Sequence, residues 1–196
     1  MTSPTRAPRM SPEDRRAHIV EATVPLILEH GAEVTTRQIA DAAGIAEGTV
    51  FRAFADKGEL IDACIERVMD PEDTLAVVAG IDPAQPLEAK VQQVVTRLHG
   101  RVGEVVRFMT ALGPRDHERR RKGHDHRRPP LGEVSGVVEE LLAPDAHRLR
   151  VPVGTAVDYL RILVFGTAMP FISSGEASDP AQLADFILNG IAKEGD

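Results

Sequence analysis

Along the first thirty positions the apolar residues Ile19, Ala22, Leu26 and Ile27 recur at i, i+3, i+7 and i+8, the spacing of a helix with one dry face. It predicts a helix from Pro12 to Gly31, with a bend at Pro25, because an interior proline removes a backbone hydrogen bond and crowds the preceding turn. Thr35 and Gln38 stand at capping-box spacing, so a short helix starts there, runs through Ile39, Ala40 and Ala43, and stops at Gly44. Ile45 and Ala46 form a turn. The next helix runs from Glu47 to about Ala53, with Val50, Phe51 and Phe54 available to a core. Asp56 and Glu59 repeat the capping pattern ahead of a fourth helix carrying Leu60, Ile61, Cys64, Ile65 and Val68.

Pro71, Pro83 and Pro86 interrupt the chain after this helix, and Glu72–Asp82 reads as a linker. Helical periodicity returns with Leu87, Val91, Val94, Val95 and Leu98, and again with Val102, Val105, Val106 and Met109. It disappears over 113–130, where arginines and lysines crowd among histidines and prolines, the composition of a mobile basic loop. Val134, Val137, Val138, Leu141 and Leu142 mark another amphipathic helix, ended by Pro144. From Val153 to Phe171 the chain is apolar around most of a helix circumference, which predicts burial on two sides, one of them against a partner subunit. Asp179, Pro180 and Gln182 open a last helix lined by Leu183, Phe186, Ile187, Gly190 and Ile191. No alternating pattern survives, so the fold expected is all-α with about nine helices. Its divisions are a flexible arm at 1–10, three short helices at 11–55, and a larger helical domain at 56–196.

Composition narrows this picture. Hydrophobic residues make up 42% of the chain but aromatics only 4%, so the core is built of aliphatic side chains, which suits packed helices. The single cysteine, Cys64, excludes an internal disulfide and any CxxC motif, and points to a reducing cytoplasm. No apolar run reaches the length of a membrane span, and none at the N-terminus resembles a signal peptide. A formal net charge of −7 excludes a protein that coats nucleic acid, so any DNA contact must be local. GxSxG, GxGxxG, HExxH and P-loop patterns are missing, so neither an enzyme nor a cofactor is expected. Asp116, His117, His124, Asp125 and His126 match no standard metal spacing and lie among arginines that repel a cation, so no metal is expected either.

Three short helices, the second and third joined by a tight glycine-centred turn, have the geometry of a helix-turn-helix. The stretch Thr35-Thr36-Arg37-Gln38-Ile39-Ala40 through Gly44-Ile45-Ala46-Glu47-Gly48-Thr49-Val50-Phe51, and on to Phe54, Lys57 and Leu60, resembles the signature of the TetR family. That resemblance covers about residues 15 to 65 and implies a dimeric DNA-binding regulator. It implies phosphate contacts for Thr36, Thr49 and Lys57, and a place against the DNA backbone for Phe51. It also implies that Arg37 enters the major groove, where a guanidinium can bond both acceptors of guanine. Glu47 and Gly48 open the recognition helix; the carboxylate can accept from cytosine N4 and the glycine allows close approach, while Arg52 reaches base or phosphate. Glu47 serves equally well as an acid complementing the helix dipole.

The function expected is a repressor that two copies of the chain form on a palindromic operator in double-stranded DNA, released by a small apolar or amphipathic ligand. The alternative is a DNA-binding regulator without a ligand, whose larger domain only dimerises or binds another protein. Phe108, Met109 and Phe165 are candidate pocket residues and serve equally as core. The homodimer is expected to pair the helices at 153–172 and 180–193 as a four-helix bundle through positions such as Leu160 and Ile187.

Overall fold

The computed structural model describes residues 10–113, 131–173 and 179–191. Among these residues the chain forms nine α-helices and no β-strand: α1 Pro12–His30, α2 Thr36–Ala43, α3 Glu47–Ala53, α4 Lys57–Val68, α5 Pro71–Ala79, α6 Leu87–Leu112, α7 Leu131–Leu142, α8 Val153–Ala168 and α9 Pro180–Ile191. Short 3₁₀ turns follow α1 at Gly31–Glu33 and α7 at Ala143–Arg148. None of the described helices is long and apolar enough to cross a membrane. The arm at 1–9, the basic loop from 114 to 130 and its candidate metal ligands lie outside the described residues.

Two compact units emerge. The first holds the chain up to Met69 together with the stretch from Phe108; the second holds Asp70–Arg107 and the later helices.

In the first unit Ser11 caps α1 by accepting the Asp14 amide at 3.0 Å, with Pro12 at a position where its missing N–H costs nothing. The helix continues through Pro25 to His30. Its buried stripe is Ile19, Val20, Thr23 and Ile27. Ala22 and Leu26, expected inside, are half-buried, while Thr23 enters the core because its hydroxyl donates to the Ile19 carbonyl at 2.6 Å. Ile39, Val50, Phe54, Leu60 and Cys64 complete this core with Phe108 and Leu112 from the last turn of α6. At φ +60°, Gly31 ends α1 where a Cβ would stand 2.6 Å from the Ala111 carbonyl oxygen, so only glycine fits.

The second unit surrounds the first five turns of α6, whose Leu87, Val91, Val94 and Val95 are completely buried. Val138 and Leu142 of α7, Ala156, Val157, Leu160 and Val164 of α8, and Leu183 and Ile187 of α9 pack with them. Residues Glu72–Asp82 are not a linker: Pro71 starts α5 behind Asp70, whose side chain accepts the Glu72 amide at 2.9 Å. A proline at the first helical turn initiates, whereas the same residue inside a helix breaks it, and the two cases look alike in a pattern scan. The two periodic stretches after Pro86 are one unbroken helix. Helix α8 stops at Ala168 rather than Phe171, because Met169 precedes Pro170 and is held extended at φ −88°, ψ 118°.

Leu160 and Ile187 are only 1% and 2% exposed within the unit itself, so neither belongs to an outward face. The apolar side chains that α8 and α9 turn outward are Tyr159, Ile162 and Phe186, at 49%, 61% and 68% exposure. With Leu163, Gly190 and Ile191 they line an open groove of about 340 Å³.

Candidate nucleic-acid interface

Helix α2 begins with a complete capping box. Thr35 Oγ1 accepts the Gln38 amide at 3.2 Å and the Thr35 amide donates to Gln38 Oε1 at 2.8 Å. Thr36 is therefore the first helical residue, half-buried, and Arg37 projects into solvent. Gly44 closes α2 in the left-handed region at φ 64°, ψ 33°, returning its amide to the Ala40 and Asp41 carbonyls, while the Ile45 amide also reaches Ala40 at 3.0 Å. This turn needs no Cβ and sets the start of α3.

On α3, Val50 and, just past its end, Phe54 are each 2% exposed and anchor the helix to the core. Helical geometry then sends the remaining positions outward: Glu47, Gly48, Phe51 and Arg52 are exposed, and Thr49 is half-buried. Phe51, at 54% exposure, is not the core residue that periodicity alone allows.

Two contacts join the candidate residues to the scaffold. Thr36 Oγ1 donates to Glu47 Oε1 at 2.5 Å, tying the first residue of α2 to the first residue of α3. Lys57 Nζ donates to the Ala32 carbonyl at 2.5 Å, bridging the start of α4 to the turn after α1. Its ammonium retains donors for a second acceptor.

The far end of α3 is held by a residue the pattern did not single out. Arg16 of α1 donates through one guanidinium nitrogen to the Ala53 carbonyl and through the other to Glu59 Oε1 at 2.8 Å, and its Cζ lies 4.1 Å from the Phe54 ring centroid. The second Glu59 oxygen accepts the Ala55 amide at 2.6 Å. The Ala55 amide first, and the Arg16 guanidinium next, hold the Glu59 carboxyl below the usual carboxylate range. Asp56 caps α4 as expected, accepting the Glu59 amide at 2.9 Å, but Glu59 reaches back to Ala55 instead of the cap residue. The Arg16–Glu59 separation of 43 residues leaves no local sequence signal. His18 adds a contact of 2.9 Å from Nε2 to the Ala43 carbonyl at the end of α2.

The pocket candidates are dispersed. Phe108 is 1% exposed in the first unit's core, Met109 packs beside it, and Phe165 packs on the second unit's core. Among the described residues no group of three His, Cys, Asp or Glu side chains could hold a metal ion.

The family model for bacterial regulatory proteins of the tetR family matches residues 19–64, which run from within α1 through α2 and α3 into α4. The chain is 35% identical over 71 residues to the nucleoid occlusion factor SlmA of Haemophilus ducreyi, a match covering 35% of each chain. It is 32% identical over 95 residues to the HTH-type transcriptional repressor KstR2 of Rhodococcus jostii, covering 46% of this chain and 47% of the relative. These matches thus span between a third and a half of the curated relatives. Beyond that segment the likeness is one of fold. The transcriptional regulator FadR of Bacillus subtilis, solved in complex with stearoyl-CoA, superposes with a TM-score of 0.55 at 18% identity, over 88% of this chain and 95% of that one. The helix-turn-helix segment at 19–64 thus matches the TetR family of bacterial regulatory proteins, within a fold that is all-helical among the described residues.

Proposed function

We propose that this protein is a sequence-specific, DNA-binding transcriptional regulator, a cytoplasmic repressor that a small apolar or amphipathic ligand releases from a palindromic operator. The observation that carries the reading is the outer face of α3. Val50 and Phe54 fix the helix, leaving Glu47, Gly48, Phe51 and Arg52 outward beside Arg37 at the start of α2. An exposed helix of this size fits the major groove. Arg37 reads a guanine, Arg52 reaches base or phosphate, Thr49 and Lys57 hold phosphates, Phe51 lies on the sugar-phosphate edge, and Gly48 admits the backbone of α3 close to the duplex.

Two copies pair through the outward faces of α8 and α9, where Tyr159, Ile162 and Phe186 expose apolar surface that a twofold partner would cover. The two recognition helices must then sit about 34 Å apart to meet successive major grooves. A ligand bound to the second unit acts by making that spacing unfavourable, and DNA must oppose the ligand by the same factor. KstR2 is a repressor and FadR was solved with an acyl-CoA, which supports the class of both regulation and ligand. The second reading, dimerisation without a ligand, is favoured by the completely buried Leu87, Val91, Val94 and Val95 at the centre of the unit.

The test is selection of binding sites from random duplex DNA by the purified full chain, with Arg37→Ala and Lys57→Ala alongside. The expected product is a near-palindrome. Arg37→Ala should lose preference at one base pair per half-site, and Lys57→Ala should weaken all sequences alike and flatten the salt dependence by about one phosphate. If the wild-type chain enriches no sequence, the DNA-binding reading is wrong.

A further inference from the structure

Resting on the DNA-binding reading, we infer that Thr36 is a positioning residue for base readout: its hydroxyl aims the Glu47 carboxylate at the amino group of a cytosine. This differs from the phosphate contact that its place in the motif implies.

The hydroxyl has one proton, and the structure gives it to Glu47 Oε1 at 2.5 Å, the length of a charge-assisted O–H···O⁻ bond. A phosphate oxygen only accepts, so the same hydroxyl cannot donate to phosphate while it holds the carboxylate. Nor does Glu47 cap its own helix. Ala46 occupies the cap position without a side-chain bond, and among the described residues the Glu47 side chain bonds across to α2. The two residues stand first in α2 and α3, so the contact ties together the helix ends that approach the duplex.

The remaining carboxylate oxygen, Oε2, has no hydrogen-bond partner among the described residues, on a side chain that is exposed. A carboxylate brought toward DNA is repelled by phosphates and, left free, swings away from them; the Thr36 bond opposes that swing. Once in the groove it needs a donor. Guanine and thymine present acceptors there, adenine sets its N7 acceptor beside its amino group, and cytosine offers N4 without that neighbour, so cytosine is the base a fixed carboxylate selects.

The experiment is site selection followed by affinity measurements on duplexes varied at one base pair, using the wild-type chain, Thr36→Val, Thr36→Ser, Glu47→Ala, Glu47→Gln and the Thr36→Val/Glu47→Ala double variant. The wild type should prefer C·G at one position per half-site by on the order of tenfold. Thr36→Val and Glu47→Ala should each level that preference, and the double variant should level it no further. Thr36→Ser, which keeps the hydroxyl, should retain it, and Glu47→Gln should move it toward A·T, since an amide can bond adenine N6 and N7 together. If Thr36→Val weakens every duplex by one factor with the preference intact, Thr36 is a phosphate contact and the inference is overturned. An unchanged preference in Glu47→Ala overturns it too, while the palindrome itself would still stand; a wild-type chain that selects nothing removes the DNA-binding reading instead.

Discussion

Cys64 shows how one residue's surroundings decide its chemistry. It is completely buried between α1 and α4, with Sγ 3.9 Å from the Val20 carbonyl. Burial first, and the nearby negative charge of Glu21 second, push its thiol up to about 12. Only a thiolate attacks electrophiles, so at pH 8 about one molecule in 10⁴ carries the reactive form. The native protein should stay unlabelled by iodoacetamide for a period that fully labels it in urea, and what native labelling occurs should keep rising with pH, with no plateau near the ordinary thiol range. Rapid labelling of the folded chain at pH 8 would refute this. The same scale shows why Arg16 escaped the sequence pattern. A surface-type residue becomes structural when Ala53, Phe54 and Glu59 converge on it, and they converge only after α1 and α4 have packed.

Between elements, the most consequential polar contact is a buried ion pair. Lys90 of α6 is 1% exposed and its ammonium meets Asp145 in the 3₁₀ turn after α7, while also donating to the Leu141 carbonyl at 3.2 Å and the Pro83 carbonyl at 3.4 Å. Removing one member leaves the other charge buried with no counter-ion, which costs more than the pair contributes as a whole. Lys90→Met should lower unfolding stability by about 3 kcal/mol, and Lys90→Met/Asp145→Leu should recover most of it. Urea midpoints of the two variants check this; equal midpoints for Lys90→Met and the wild type would show that the pair is solvated. Lys90 falls on the same helical stripe as Leu87, Val91 and Val94, so a lysine on a dry face was visible in the sequence. Its partner, 55 positions along, was not.

For the whole molecule, the proposed assembly is what would link the roles proposed for the two units. Isolated exposed apolar residues are ordinary, but Tyr159, Ile162 and Phe186 line one groove. Ile162→Asp and Phe186→Asp should shift the protein to a monomer in light scattering while leaving its helical circular dichroism unchanged. Operator affinity should fall with it, because a half-site alone forfeits the second recognition helix. A dimer that survives both substitutions together would place the interface elsewhere. Leu160→Asp and Ile187→Asp make poor probes of assembly, since each buries a charge within its own unit.

Local rules sufficed for what local forces control. Caps at Thr35 and Asp56, the glycine stop at Gly44 and the 3.6-residue period located most helices, and the helix-turn-helix segment was legible because its whole geometry lies within one short stretch of chain. Where a proline starts a helix rather than ending one, as at Pro71, the outcome rests on whether Val78 and its neighbours find a core to bury against. Tertiary packing alone decided that Thr23 goes inside and Phe51 stays out. It also brought the end of α6 to the first unit's core and turned the Thr36 hydroxyl to Glu47. Each of these depends on partners far apart in sequence, and a side chain's burial and hydrogen bonds are set by the neighbours that the folded chain brings to it.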